Sequence, residues 1–176
     1  MPSIPDPVPD TGVPRRPLLR AAALDDAERA GALHHACWVE TFAGLASPEL
    51  WDRLTVDRSV ATWRRLLAGG LDATVADLDG ALVGVAVAGR AQDRGGHPPV
   101  RERELGNLYV LAAHHGTGVG QALLDAVLPP GTRAQVWAAR DTPRARRFYE
   151  RNGFRADGAT EDGSTFGGVV SLRLVR

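Results

Sequence analysis

The sequence predicts a mixed α/β fold, a central sheet with helices on both faces. Three observations carry this. Short apolar runs rich in strand formers alternate with stretches whose apolar residues recur every three or four positions. Their order is strand, helices, three strands, helix, strand, helix, two strands, which is a layered α/β order. The chain, at 176 residues, is long enough for one domain with a substantial core.

Residues 1–17 are proline-studded and poor in large apolar groups, so they read as a disordered or polyproline-like leader before a single domain over 18–176. Leu18-Leu19-Arg20-Ala21-Ala22 is the first strand. Asp25 and Asp26 sit where a cap and a first helical turn belong. From there Ala27, Ala30, Leu33, Cys37 and Thr41 mark one face of an amphipathic helix, extended by Trp38 and Phe42 and broken by Gly44 and Ser47-Pro48. Two helical patches follow, from about Pro48 to Leu54 and from about Val60 to Leu67. Ala73–Leu78 and Ala81–Ala88 are strands joined by Asp79-Gly80, a two-residue turn of the primed type.

Residues 91–101 form a polar loop rich in Gly and Pro, and Glu102 to Leu111 is the next strand. Gln121–Leu128 reads as a helix stopped by Pro129-Pro130. Ala134–Ala138 is a strand. Asp141-Thr142-Pro143 starts a helix that ends at Asn152-Gly153. Phe154–Ala156 opens another strand, and Val169–Val175 closes the sheet.

Composition excludes several classes. Formal charge is balanced, so bulk electrostatics gives no reason to expect nucleic acid. The 21 basic residues are all arginine, a composition bias and not a functional signal. One cysteine rules out an internal disulfide and a cysteine-based metal cage. No run of about 18 apolar residues exists to span a membrane, and the N-terminus has no signal-peptide pattern, so the expected location is the cytoplasm. The adjacent pair His114-His115 lacks a third ligand at metal-site spacing, so no metal is expected.

Chemistry concentrates in Leu108-Tyr109-Val110-Leu111-Ala112-Ala113-His114-His115-Gly116-Thr117-Gly118-Val119-Gly120-Gln121. A strand, a glycine loop and a helix N-terminus in that order make an anion site. Orphan N–H groups point out of the first turn, the helix dipole favours negative charge, and glycine lets a phosphate come close. Three glycine loops compete. A nucleotide-hydrolysing phosphate loop needs Gly-Lys-Ser or Gly-Lys-Thr, and the chain has no lysine. A dinucleotide fingerprint has Gln121 where its third small residue belongs, although Asp141 stands near its acidic position. The third is the coenzyme A loop, patterned as Gln or Arg, two residues, Gly, one residue, then Gly or Ala. His115-Gly116-Thr117-Gly118-Val119-Gly120 fits it except at the first position.

With this loop, Ala145-Arg146-Arg147-Phe148-Tyr149-Glu150-Arg151-Asn152-Gly153-Phe154 resembles the last conserved segment of the Gcn5-related N-acetyltransferase superfamily. The stretch from Ala36 to Gly44 is similar to the N-terminal helix of many bacterial members. The resemblance spans 18–176 by element order and is tight over 104–121 and 142–154. It implies a GNAT-like mixed sheet whose parallel strands, ending near Val110 and Ala138, splay around the cofactor. It implies transfer of an acetyl group from acetyl-coenzyme A to an amine, in a small molecule or a protein, by direct attack. It admits a homodimer. The cofactor contacts it implies are Tyr109, Val110, His115, Gly116, Thr117, Gly118, Val119, Gly120, Gln121 and Thr142. The backbone of Val110 pairs with the pantetheine arm, and the amides of 116–121 hold the pyrophosphate.

The reaction needs a group to take the amine proton, because an ammonium with pKa about 10.4 is no nucleophile. It also needs an oxyanion donor and an acid for the leaving thiolate. Tyr149 is the candidate acid and Glu104 the candidate base, with Glu102 as the spare if a bulge resets the strand. On a regular strand 104, 106, 108 and 110 share one face. His115 replaces the family's arginine or glutamine, and Thr142 its frequent asparagine. These departures support an alternative, a non-catalytic acyl-coenzyme A binding or sensing domain. Cys37 reads as packing, and Arg144, Arg146 and Arg147 as a solvated helix face or as contacts to the adenosine 3′-phosphate. Of the four tryptophans, all read as core, with Trp38 and Phe42 also bordering the acceptor pocket.

Overall fold

The computed structural model describes residues 16–164 and 166–176; the expected leader lies outside them apart from Arg16 and Pro17. Seven strands form one sheet: β1 (Leu18–Ala21), β2 (Ala73–Leu78), β3 (Ala81–Arg90), β4 (Arg103–Val110), β5 (Ala134–Ala139), β6 (Arg155–Glu161) and β7 (Ser171–Val175). Their order is β1-β2-β3-β4-β5-β7-β6. Only β4 and β5 run parallel among the paired strands. The helices are α1 (Ala27–Phe42), α2 (Pro48–Trp51), α3 (Val56–Ala68), α4 (Val119–Val127) and α5 (Pro143–Arg151).

Each face of the sheet has its own core. On one, α1 and α3 bring Leu33, Cys37 and Trp63 against Val75, Val85 and Val87. On the other, α4 lays Val119 and Leu123 on Ala76 and Ala86, while Tyr149 of α5 joins Leu105, Val136 and Phe154. The helices approach closely at two glycines. A Cβ on Gly31 would lie 2.5 Å from the Cα of Val60, and one on Gly84 would lie 2.8 Å from Leu123. α3 begins earlier than the apolar spacing suggests, because Thr55 caps it by accepting the Arg58 amide at 3.3 Å.

The β2–β3 turn is as predicted. Asp79 and Gly80 have φ of 53° and 86°, the two left-handed residues a primed turn needs. The expectation that β4 alternates regularly is corrected. Val87 pairs with Asn107 and Ala88 with Leu105, so Gly106 is an extra residue in β4. The bulge reverses the facing beyond it. Glu104 therefore shares the face of Asn107 and Tyr109, towards α1, and Leu105 shares the face of Leu108, towards α4 and α5.

The start of the chain is fastened by charge. Asp26 is 2% exposed. It accepts from Arg20 at 2.6 and 2.9 Å, from the Ala23 amide at 2.8 Å, and from Arg29. Arg20 also donates to Asp77 at 2.9 Å, which ties β1 to β2. The Arg20 hydrogen bond, more than burial opposes it, holds the Asp26 carboxyl well below the usual carboxylate range. A depressed folded pKa means the stabilisation is present above the unfolded value of about 3.9 and is lost as pH falls below it. Asp26→Asn is expected to lower the unfolding free energy by about 3 kcal/mol at neutral pH. Urea titrations at neutral pH and at pH near 3 check this: the deficit of the variant should shrink in acid.

Candidate active site

The site begins where two strands part. β4 and β5 pair only through Arg103–Ala134, Glu104–Gln135 and Leu105–Val136. Beyond that β4 continues to Val110 and β5 to Ala139 without pairing. The divergence opens a cavity of about 440 Å³ lined by both strand ends, by Glu40 of α1 and by Thr142, Arg144, Ala145 and Tyr149 of α5. Leu111 donates to Val83 on β3 at 3.0 Å. In an antiparallel ladder the main-chain groups alternate, so those of Val110 and Leu108 point the other way, into the gap.

The glycine loop lies at the mouth of this gap. Gly116 and Gly118 have φ of 80° and 90°, where a side chain is strained. Gly118 is the N-cap of α4, and the first intrahelical bond runs from the Ala122 amide to its carbonyl at 3.0 Å. The amides of Gly118, Val119, Gly120 and Gln121 therefore precede the helical ladder. Gly118, Gly120 and Gln121 border a cavity of about 330 Å³ that shares Leu108, Val110, His115, Arg144, Ala145 and Tyr149 with the gap. A Cβ on Gly120 would meet only ordinary contacts at 3.8 Å, with Phe148 and Val110. Nothing in the protein requires glycine there, but a side chain would project into the cavity. The loop fits a diphosphate.

The side chains expected at the cofactor divide. Val119 is buried in the core, so it offers its amide alone. Thr117 donates to the His114 carbonyl at 2.8 Å, and Gln121 donates to Asp125 at 2.9 Å and Asn152 at 2.8 Å. Thr142 donates to the Ala139 carbonyl at 2.7 Å and makes no side-chain cap bond to α5. His115 Nε2 lies 2.7 Å from the Val110 carbonyl and 2.7 Å from Nη2 of Arg144. One nitrogen cannot donate to the carbonyl and accept from the guanidinium at once, so each tautomer makes one of the two bonds. Of the three arginines on α5 singled out above, Arg144 lines both cavities, while Arg146 faces Glu150 at 4.0 Å. Burial lowers the Arg144 pKa.

Tyr149 is 8% exposed and borders both cavities, with Phe148 beside it. Burial pushes its hydroxyl pKa up, so it is protonated at neutral pH. Tyr109 stands across the gap on the α1 face, and burial pushes its hydroxyl up to about 12. Cys37 lies in the α1 core, and burial raises its thiol to about 12, so it is packing and not thiolate.

On the α1 face the gap opens into a third cavity, of about 680 Å³. Gly106, Asn107, Tyr109 and Trp137 border both. Glu104 sits at the closed end of the fork, below this cavity. Its carboxylate accepts from Gln135 Nε2 at 2.7 Å, and Gln135 Oε1 accepts from the amides of Val100 and Arg101 at 2.9 and 3.2 Å. Sequence reasoning missed Gln135, Asn107 and Phe166. The signal for the first two was a polar side chain inside an apolar strand; Phe166 carried none, because it arrives from the β6–β7 connection. His97 Nε2 meets the Thr160 carbonyl at 2.8 Å and staples the 91–101 loop to β6.

Comparison with known proteins agrees with this geometry. A family described as "Acetyltransferase (GNAT) domain" matches residues 70–156. The "Probable N-acetyltransferase Rv2775" of Mycobacterium tuberculosis is 29% identical over 169 residues, covering 90% of this chain and 93% of that one. A mycothiol acetyltransferase of Clavibacter michiganensis is 40% identical over 114 residues, which cover 60% of this chain but 34% of that protein. Among solved structures, the PaiA N-acetyltransferase of Thermoplasma acidophilum in complex with coenzyme A has a TM-score of 0.60 at 19% identity, covering 90% of this chain and 98% of that one.

Gly120→Ala separates folding from binding. Alanine is a better helix former by about 1 kcal/mol, so the free protein should melt at a higher temperature. Its methyl group enters the loop cavity, so the calorimetric Kd for coenzyme A should rise at least tenfold. A variant that melts higher and binds as before removes Gly120 from the anion site.

Proposed function

The chain belongs to the Gcn5-related N-acetyltransferase superfamily, and from that premise we propose that residues 18–176 move an acetyl group from acetyl-coenzyme A to a primary amine by direct attack. The chain is an acetyltransferase by its relatives; the acetyl donor, the acceptor and the residue roles are the proposal. The observation that carries it is the fork between β4 and β5, opening beside the free amides of α4.

In this reading the amides of Gly116 to Gln121 hold the diphosphate, with Arg144 and His115 beside them. Leu108 and Val110 offer main-chain groups to the pantetheine arm. Acetyl-coenzyme A, once bound, supplies an activated thioester carbonyl. The Val110 N–H donates to the carbonyl oxygen as negative charge grows on it. The amine nitrogen forms the new C–N bond as the C–S bond breaks. Its proton leaves through water to Glu104, which is on the acceptor face but set back from the cavity. Tyr149 O–H donates to the departing sulfur. A thiolate with pKa about 8.5 is a weaker base than a phenolate of about 10 or above. Full proton transfer from Tyr149 is therefore uphill, and its contribution is a hydrogen bond that strengthens as charge reaches sulfur.

Two variants test the roles. Tyr149→Phe should lower kcat about a hundredfold in a thiol-release assay, with the coenzyme A Kd within a few fold. Equal turnover removes Tyr149 from the step. Glu104→Gln should lose rate about a hundredfold at pH 7 and regain most of it as pH approaches 10, where the amine deprotonates itself. A variant-to-parent ratio that stays flat across that range counts against Glu104.

A further inference from the structure

The acceptor side of the fork carries information about what enters it. The cavity there, about 680 Å³, falls in the range of small-molecule sites. One wall is aromatic, and Thr160, Ser164 and Ser171 line much of the rest. Trp38, Phe42 and Phe166 meet edge to face with ring centroids 4.8 to 6.2 Å apart, and Trp137 faces them from β5. Three charged residues border it, Arg94, Glu161 and Asp162, and Glu161 is half-buried. Arg94 and Asp162 are exposed there, and Arg94 stacks over Trp137 at 5.7 Å. The ring wall gives an apolar body its contact, and Arg94 on the same border offsets part of the pull that the two acids exert on a second cation.

At the inner end stands Asn107. The Gly106 bulge turns it to this face, and it borders both this cavity and the fork. Its side-chain amide makes no hydrogen bond among the described residues, although polar neighbours are at hand. Its carbonyl oxygen can accept from an amine N–H while the nitrogen lone pair is left for attack.

We propose that this cavity takes a small primary amine with an aromatic or bulky apolar body, and that Asn107 receives its amino group. This rests on the transfer proposed above, with the same bonds made and broken. It deepens that reading by choosing a compact arylalkylamine over a polyamine or a lysine in a protein.

The test reads the site without chemistry. Phenethylamine, putrescine and a lysine-bearing peptide are titrated calorimetrically into the full chain saturated with coenzyme A. Phenethylamine should bind at least tenfold more tightly than the other two. Asn107→Ala and Phe166→Ala, each checked for an unchanged melting profile, should each weaken it at least fivefold. Putrescine or the peptide binding as well as phenethylamine overturns the proposal, as does no amine binding or an unaffected Asn107→Ala. A thiol-release assay with acetyl-coenzyme A and the same three amines then reads the transferase reading alone. Tight phenethylamine binding with no thiol released sinks that reading and leaves the site standing.

Discussion

The structure depends on a shortage of hydrogen bonds in the middle of a sheet. A strand interior normally satisfies both of its edges, and a main-chain group left unpaired away from water costs about as much as a lost hydrogen bond. β4 is paired along β3 as far as Gly84–Val110 but loses β5 after Leu105. β5 cannot close the gap, because its other edge is held by β7 over Gln135–Val175 to Ala139–Ser171. The two strands are thus anchored to different neighbours and pulled apart at their ends. What remains is a row of oriented donors and acceptors on β4 that β5 does not pair. In the free chain His115 covers one of them, the Val110 carbonyl. In the proposed binding mode a ligand with amides along a flexible arm would complete the row, with its phosphates at the N-terminus of α4.

Much of this was legible in the sequence because it depends on local chemistry. The glycines at 116 and 118 announce left-handed backbone, Asp79-Gly80 announces a primed turn, and the strand-loop-helix order announces an anion site. Trp38 and Phe42 both line the 680 Å³ cavity, Phe42 buried and Trp38 half-buried. The rest depends on what meets what. The bulge at Gly106 is one glycine in an apolar strand, and its effect on Glu104 appears only once Val87 and Ala88 are known to pair around it. The insertion of β7 between β5 and β6 is likewise invisible in element order, since both ends of that connection read as ordinary strands. Phe166 reaches the aromatic wall of the 680 Å³ cavity from a turn whose sequence resembles any polar connection.

The departure at His115 is offset from a different element. Where the family has arginine, a neutral imidazole brings less charge to a phosphate, and taken alone that weakens the loop. Arg144 lies in the first turn of α5, far along the chain, yet its guanidinium reaches His115 at 2.7 Å and borders the loop cavity. Its charge is permanent at any working pH, so the anion site does not depend on protonating the histidine. The two residues then play different parts. Arg144 supplies the charge. His115, by choice of tautomer, either accepts from that guanidinium or donates to the Val110 carbonyl. A ligand that claims the carbonyl for its own N–H frees the imidazole to take the other tautomer and orient Arg144. On this account the histidine marks a redistribution of the anion site between α4 and α5, and turnover need not be lost with the arginine.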